Sequence, residues 1–348
     1  MTPHNQALWR MKPGGPFRVG DAPYTPPGSG ELVVRARAVA VNPVDGISGM
    51  FYPLILPWVK FPAVVGGDVA GEVVEVGPDV TRFRPGDRVV GHAVGLEKNR
   101  NRSAEGAFQH YVVLLETMVS PIPETVTYEQ AAVLPLTLST AATGLFQKDH
   151  LGLPLPTLAG PERRETVLIW GGSTSVGSNA IQLTRGAGYR VVTTASERNF
   201  AYVQSLGAAA AVDYHRKPVV DDLVAAIGDQ PLVGILAISV GSLGPCLKVA
   251  DRTGCPRIAA AFPGVLVRLG TLGRWNSRVR VSAIWGGTLK DNEVGPGIYR
   301  DFLPGALAGG TYRTAPPPTV VGEGLAAIPG ALETLRRGVS ATKLVVKL

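Results

Sequence analysis

The stretch from Val167 to Gly188 constrains this chain more than any other. Val167 to Trp170 is a short apolar run following the charged Glu162-Arg163-Arg164-Glu165. Such a run suits a strand buried on both faces. The turn Gly171-Gly172-Ser173-Thr174-Ser175-Val176-Gly177 follows, and Val176, Ala180, Ile181, Leu183 and Thr184 then recur at helical spacing until Gly186 and Gly188. A strand, a glycine turn and a helix make a corner where helix N-terminal amides receive a dinucleotide pyrophosphate. Only the outer glycines of the usual fingerprint are clear, and the hydroxyls of Thr174 and Ser175 are candidates to donate to phosphate oxygens. Taken alone, the pattern also fits an ordinary strand–helix connection.

The segment that follows narrows the choice. Tyr189 to Thr194 reads as a second strand running into Ala195-Ser196-Glu197-Arg198-Asn199. A cofactor with a free ribose 2′-hydroxyl usually meets an acidic residue at the end of this strand. Ser196 occupies that end here, with Glu197, Arg198 and Asn199 just beyond. Small polar and cationic groups tolerate a 2′-phosphate, so the expectation is NADPH rather than NADH, although Arg198 facing plain solvent is the simpler alternative.

A chain of 348 residues suits two domains. The formal charge of +7 is spread out, with no basic run interleaved with aromatics. This excludes a nucleic-acid reader and favours an anionic cofactor or substrate. The uncharged stretch 131–146 is too short and too rich in Thr and Ser to span a membrane. No secretory pattern opens the chain, and two cysteines, Cys246 and Cys255, make neither a disulfide framework nor a thiolate zinc cluster. A cytoplasmic setting is expected.

The first third reads as β-rich, with short strands between turns at 26–30, 77–79 and 85–87. Residues 92–105 form a polar insertion, expected as a surface loop. Thr127 and Gln130 fit a capping box opening a helix that Pro135 interrupts and that resumes near Leu138. Strands are then expected at 167–170, 189–194, 210–213 and 232–239, with a later one between 257 and 285. Helices fall at 200–206 and 219–227 between them, the alternation of a parallel sheet. Within 255–282 both Ile258 to Phe262 and Val265 to Leu272 resemble strands, so the register there is open. The tail gives a short helix and a strand at 343–346.

In this order, Asn42-Pro43-Val44-Asp45, Gly67-Asp68-Val69-Ala70-Gly71, Gly86-Asp87-Arg88-Val89, Glu129-Gln130-Ala131-Ala132, the glycine turn, Gly286-Gly287-Thr288-Leu289-Lys290-Asp291-Asn292-Glu293 and Lys343-Leu344-Val345-Val346 resemble the medium-chain dehydrogenase/reductase superfamily. The nearest branch is that of fungal trans-acting enoyl reductases and zinc-free quinone oxidoreductases. The resemblance implies an α/β chain made of a GroES-like β-rich catalytic domain, 1–140 completed by about 310–348, and a doubly wound Rossmann domain, 141–309. It places the nicotinamide in the cleft between them. The implied NADPH contacts are Val44, Asp45, Gly46, Ile47, Gly171, Ser173, Thr174, Ser175, Val176, Ser196, Glu197, Arg198, Asn199, Tyr214, Ser340 and Ala341. Tyr214 by itself fits equally well a tyrosine capping a sheet edge.

Zinc-dependent relatives use a cysteine in the first loop, a His-Glu pair after a glycine, and further cysteines. This chain has Asp45, Gly67-Asp68 and none of those cysteines, while His92 and His110 stand isolated. No metal is expected. Without a Lewis acid, reduction of an activated C=C bond is the favoured chemistry, and Thr140 is the expected donor to the carbonyl oxygen. A helix threonine bonded to its own backbone is the competing reading. Tyr52, Trp285, Gly286, Gly287 and Thr288 are the expected substrate-side residues, Tyr52 equally fitting a surface position. Many relatives carry a lysine where Ile47 stands, so the site is expected to suit small hydrophobic enones better than carrier-tethered acyl groups. The implied substrate is an enone, enoyl group or quinone, with a polyketide synthase as a candidate partner; a non-catalytic NADPH-binding module is the remaining alternative.

Overall fold

The computed structural model describes residues 3–239, 241–262, 264–272 and 277–348. The chain forms two compact units: residues 1–136, 299–310 and 317–348 make the first, and 137–298 with 311–316 the second. The sequence expectation put the divisions at 140 and about 310. Instead the chain leaves the first unit at Leu136, and 311–316 fold with the second.

The first unit opens with two strands that its sequence did not announce, β1 (Asn5–Arg10) and β2 (Phe17–Ala22), followed by β3 (Glu31–Ala40), β4 (Ala63–Val64), β5 (Asp68–Val76), β6 (Arg88–His92), β7 (Tyr111–Leu115) and β8 (Val119–Pro121). The second unit carries β9 (Thr166–Trp170), β10 (Arg190–Ala195), β11 (Ala210–Asp213), β12 (Leu232–Ala237), β13 (Arg257–Ala260) and β14 (Arg280–Ala283). The chain then returns to the first unit with β15 (Pro318–Glu323) and β16 (Lys343–Lys347).

In the first unit β2-β1-β4 form a small sheet, and β15-β16-β3-β5-β6-β8 form a larger one in which β7 also pairs with β3. β3 takes two neighbours on one edge. Its first half, Glu31 to Arg35, pairs with β7, and its end, Ala38 to Ala40, pairs with β16. Register shifts on the β5 side, between Val33 and Val34 and between Ala36 and Ala38, accompany this change of partner. Apolar side chains from Ala7 to Val346 fill one core, so the tail strand is an integral part of this unit.

The second unit holds six parallel strands in the order β11-β10-β9-β12-β13-β14. Counted along the chain this is 3-2-1-4-5-6, the doubly wound dinucleotide order, whose ligand crevice lies beyond the carboxyl ends of the strands. Every residue of β9 is buried, as its unbroken apolar run requires. The ambiguous 255–282 stretch resolves into β13, a helix at Gly264–Gly270 and β14. Val265 to Gly270 is therefore helical rather than a strand, with Thr271 and Leu272 in a turn beyond it, and residues 263 and 273–276 lie outside the described residues. Among the described residues no helix is long and apolar enough to cross a membrane.

The polar insertion 92–105 is also less of a surface loop than its composition implied. His92 ends β6 and is buried, and Glu105 is 1% exposed. Glu105 accepts from Arg100 Nε at 2.8 Å, and Arg102 reaches Glu105 at 2.8 Å and Glu31 of β3 at 2.7 Å. Arg100 also pairs with Glu31. Four charges thus fasten the loop to the sheet. Removing one buried partner strands the others without compensation. Glu105→Ala is expected to destabilise the protein by about 2 kcal/mol, tempered by the partial exposure of the arginines, read as a lower urea midpoint at unchanged slope.

Candidate functional site

The glycine turn has the geometry of a phosphate cradle. Gly171 holds φ at +93°, a conformation that disfavours side chains. A Cβ on Gly177 would lie 2.2 Å from the Gly171 carbonyl oxygen, so only glycine lets the helix Ser175–Gly186 start this close to β9. Thr174 caps that helix, accepting from Gly177 N at 3.0 Å and donating to Gly171 O at 2.8 Å. Its hydroxyl is thus committed to the turn rather than aimed at a phosphate, which corrects one detail of the sequence reading. Ser173, Ser175 and Val176 line the same turn, part-buried. The helix is anchored from below: Asn179, fully buried, donates to Thr137 Oγ1 at 3.1 Å and accepts from Tyr312 at 2.6 Å. That anchor, reaching into 311–316, carried no sequence signal.

At the adenosine end of a dinucleotide crevice, β10 and β11 run side by side with Ala195 opposite Asp213. Ser196 and Tyr214 step off these two strand ends together, Ser196 Oγ lying 3.4 Å from the Tyr214 hydroxyl. Tyr214 is 41% exposed. Glu197 and Arg198 are exposed, whereas Asn199 is buried and turned inward. Lys and Arg outnumber Asp and Glu by 17 to 11 in the second unit, so most of the chain's surplus of +7 lies there.

The expected substrate-side residues of the second unit also meet. A Cβ on Gly286 would fall 2.7 Å from Thr140 Oγ1, which places the segment Gly286–Asp291 directly against the helix Pro135–Phe146. Thr288 is held by Gln147 at 3.0 Å and by its own bond to Trp285 O at 2.8 Å. Gly287 is buried in that segment and Trp285 part-buried.

In the first unit the loop 42–47 sits over a buried polar cluster. Asp68, fully buried, accepts from Asn42 Nδ2 at 2.8 Å and from the Leu136 amide at 2.6 Å, and pairs with Lys343 of β16 at 2.9 Å. Lys343, itself 4% exposed, also donates to Asn42 Oδ1. His92, opposite Asp68 in the strand register, is pushed down to about 4 by burial and is neutral at physiological pH. Among the described residues no group of three or more His, Cys, Asp or Glu is placed to hold a metal ion.

Asp45 accepts the Asn42 amide at 2.8 Å, and its other oxygen is buried without a partner. Burial raises its carboxyl to about 7, against the lowering effect of the Asn42 hydrogen bond. The loop is clamped by Arg10 of β1, which donates to Asp45 O at 2.7 Å and Ile47 O at 2.6 Å. Tyr52 is 2% exposed, packed edge-on to Phe61 and near the Arg10 guanidinium, so its surface alternative does not hold. Val44 and Gly46 complete the loop, Gly46 O accepting from Arg336 at 3.2 Å. Ser340 and Ala341 lead into β16, with Ala341 at φ +48°. Sequence reasoning missed Arg10 altogether, because an arginine on an unrecognised strand looks like surface charge.

A doubly wound domain of this strand order joined to a β-rich domain closed by its own C-terminal strand defines a nicotinamide-dependent oxidoreductase class. The profile of the alcohol dehydrogenase GroES-like domain matches residues 28–124. The chain is 50% identical to a protein named Dehydrogenase orf1 of Aspergillus niger over 333 residues, 95% of either chain. It is 35% identical to a trans-enoyl reductase, himH, of Aspergillus japonicus, covering 99% of this chain and 97% of the other. The quinone oxidoreductase of Coxiella burnetii superposes with a TM-score of 0.71 at 24% identity, over 99% of both chains. The chain belongs to the medium-chain dehydrogenase/reductase superfamily, and it is an oxidoreductase.

Asp45 gives a pH signature. A carboxyl raised on folding contributes stability that is fully present below its unfolded value, near 3.8, and is lost as pH rises through about 7. Asp45→Asn keeps the acceptor for the Asn42 amide and cannot ionise. Its stability relative to wild type should therefore rise by about 2 kcal/mol between pH 5 and pH 7, measured by urea unfolding at both. A constant difference would show that Asp45 does not titrate in this range.

Proposed function

We propose that this protein is an NADPH-dependent, zinc-independent reductase of the C=C bond of α,β-unsaturated carbonyl compounds, acting in the cytoplasm. The observation that carries the reading is the close approach of Thr140 to Gly286, within the segment Trp285 to Thr288, in the domain that also holds the glycine cradle. The cradle fits a pyrophosphate: Gly177, lacking a Cβ, lets the helix start tight against the Gly171-Gly172 backbone, and the turn opens at the amino end of a capped twelve-residue helix. Bound there, NADPH would supply the hydride to the β-carbon. Thr140 orients the substrate carbonyl and donates its hydroxyl to the oxygen as negative charge develops on it. Trp285 and Gly286 to Thr288 form the opposing wall, and a proton reaches the α-carbon from water.

Ser196, Arg198 and Tyr214 form the proposed 2′-phosphate site, supported by the basic surplus of the second unit. The zinc-free reading is supported by the commitment of Asp68 to Lys343, Asn42 and the Leu136 amide, which occupies the oxygens a cation would need. The loop 44–47, with Ser340 and Ala341, is assigned to the cofactor on the resemblance. A relative named for trans-acting enoyl reduction makes an enoyl chain borne by a polyketide synthase a candidate substrate source, while Ile47 in place of lysine favours small, free enones.

The decisive assay follows cofactor oxidation with a small enone, an enoyl thioester and a quinone. Enone turnover with NADPH supports the reading; turnover of the quinone alone moves the protein to quinone reduction. Thr140→Val should lower enone kcat about 100-fold with NADPH affinity unchanged. In a separate titration, Ser196→Asp should weaken NADPH at least about tenfold and spare NADH, since a carboxylate then faces the 2′-phosphate. Equal wild-type affinity for both cofactors would remove the NADPH assignment.

A further inference from the structure

Beyond the residues already assigned to the adenosine end, a second pair stands beside them. Asp213 ends β11 next to Ser196, so an ionised carboxylate lies where a 2′-phosphate would have to approach. That arrangement should disfavour NADPH. His215 alters it. Its backbone amide donates to Asp213 Oδ1 at 3.1 Å, and its ring Nδ1 lies 2.8 Å from the same oxygen. The carboxylate is thereby drawn under the imidazole and is 15% exposed, while the imidazole is 60% exposed. The Tyr214 and His215 rings stack with centroids 4.0 Å apart, which continues the row from Ser196 through Tyr214 to His215.

We infer that His215 is a specificity-determining residue for NADPH, covering the Asp213 carboxylate and presenting its outer ring nitrogen, Nε2, to the 2′-phosphate. The inference rests on the cofactor reading above. With Nδ1 engaged by Asp213, Nε2 is the ring nitrogen left to meet a phosphate oxygen, to which the imidazolium form donates an N–H. The other charged or titratable groups around it are Tyr214 on the same turn, Arg216, which lies 3.5 Å from Asp222 of the helix Val219–Ile227, and Glu197 and Arg198 beyond Ser196. Arg216 is paired with Asp222, so His215 is the side chain in direct contact with the Asp213 carboxylate. NADH presents only a hydroxyl here and has little to gain from the ring.

The test is calorimetric titration of NADPH, NADH and 2′,5′-ADP, the last a probe that lacks the nicotinamide. His215→Gln should weaken NADPH and 2′,5′-ADP about five- to tenfold and leave NADH within about twofold. Adding Asp213→Asn to that variant should recover at least half of the loss on a logarithmic scale, because the uncovered carboxylate is gone. A preference for NADPH left undiminished by His215→Gln overturns the His215 assignment alone, as does an equal loss for NADPH and NADH. Equal wild-type affinities for the two cofactors overturn the cofactor reading, and this assignment with it.

Discussion

The buried pair of Lys343 and Asp68 is the interaction on which the first unit depends. Asp68 at the start of β5 holds Asn42 before the loop, the amide of Leu136, and the ammonium from the tail strand. Three segments far apart in sequence therefore converge on one carboxylate of a fourth. Burying either charge alone would be costly, and the pair is tolerable because hydrogen bonds fill the remaining positions on both partners. The neutral His92 beside it adds no further charge. The pair ties β16 to the sheet: Lys343 reaches Asp68 at 2.9 Å where Val345 of β16 lies opposite Ala40 of β3.

The loop above that knot is held by a second device of the same kind. Arg10, 1% exposed, spans two carbonyls of the loop, at Asp45 and Ile47, and lies near the rings of Phe17 and Tyr52. A guanidinium is suited to this because it is planar, donates in a fork, and packs on aromatic faces. The loop's backbone is thus fixed from beneath, with Asn42 and Asp45 turned inward and Pro43, Val44 and Ile47 at least partly exposed. In the second unit the equivalent support is uncharged, running from Asn179 to Thr137 and Tyr312. Fixed backbone below and polar chemistry above is the arrangement that pre-organises a binding surface.

Much of the second unit was legible because its signals are local. A β-strand of continuous apolar residues, a glycine turn and an amphipathic helix repeat along β9 to β12, and the strands at 167–170 and 210–213 and the helix at 219–227 fall where the pattern put them. Pattern failed where local composition permits two states. Val265 to Leu272 is apolar enough for a strand, yet its residues through Gly270 fold as a helix between β13 and β14, where a parallel connection needs a crossover. The strands β1 and β2 escaped notice because their residues alternate weakly and are punctuated by Lys12-Pro13-Gly14-Gly15. The 92–105 loop misled through its charges, since Glu105 is matched by arginines on its own loop and, through them, by Glu31 of β3.

By itself, the sequence determined the two-domain α/β class, the glycine corner and the residue types at the strand ends, because these follow from hydrophobic period and backbone chemistry over a few neighbouring residues. Tertiary structure alone decided that Thr174 serves the helix cap, that Arg10 clamps the 42–47 loop, that Lys343 answers Asp68, and that His215 covers Asp213 beside Ser196. Each of these is a pairing of polar groups, and what a polar group does depends on the partner and burial it meets in space. Spacing along the chain carries neither, except for Thr174 and His215, whose partners are near in sequence but whose orientation the surrounding strands impose.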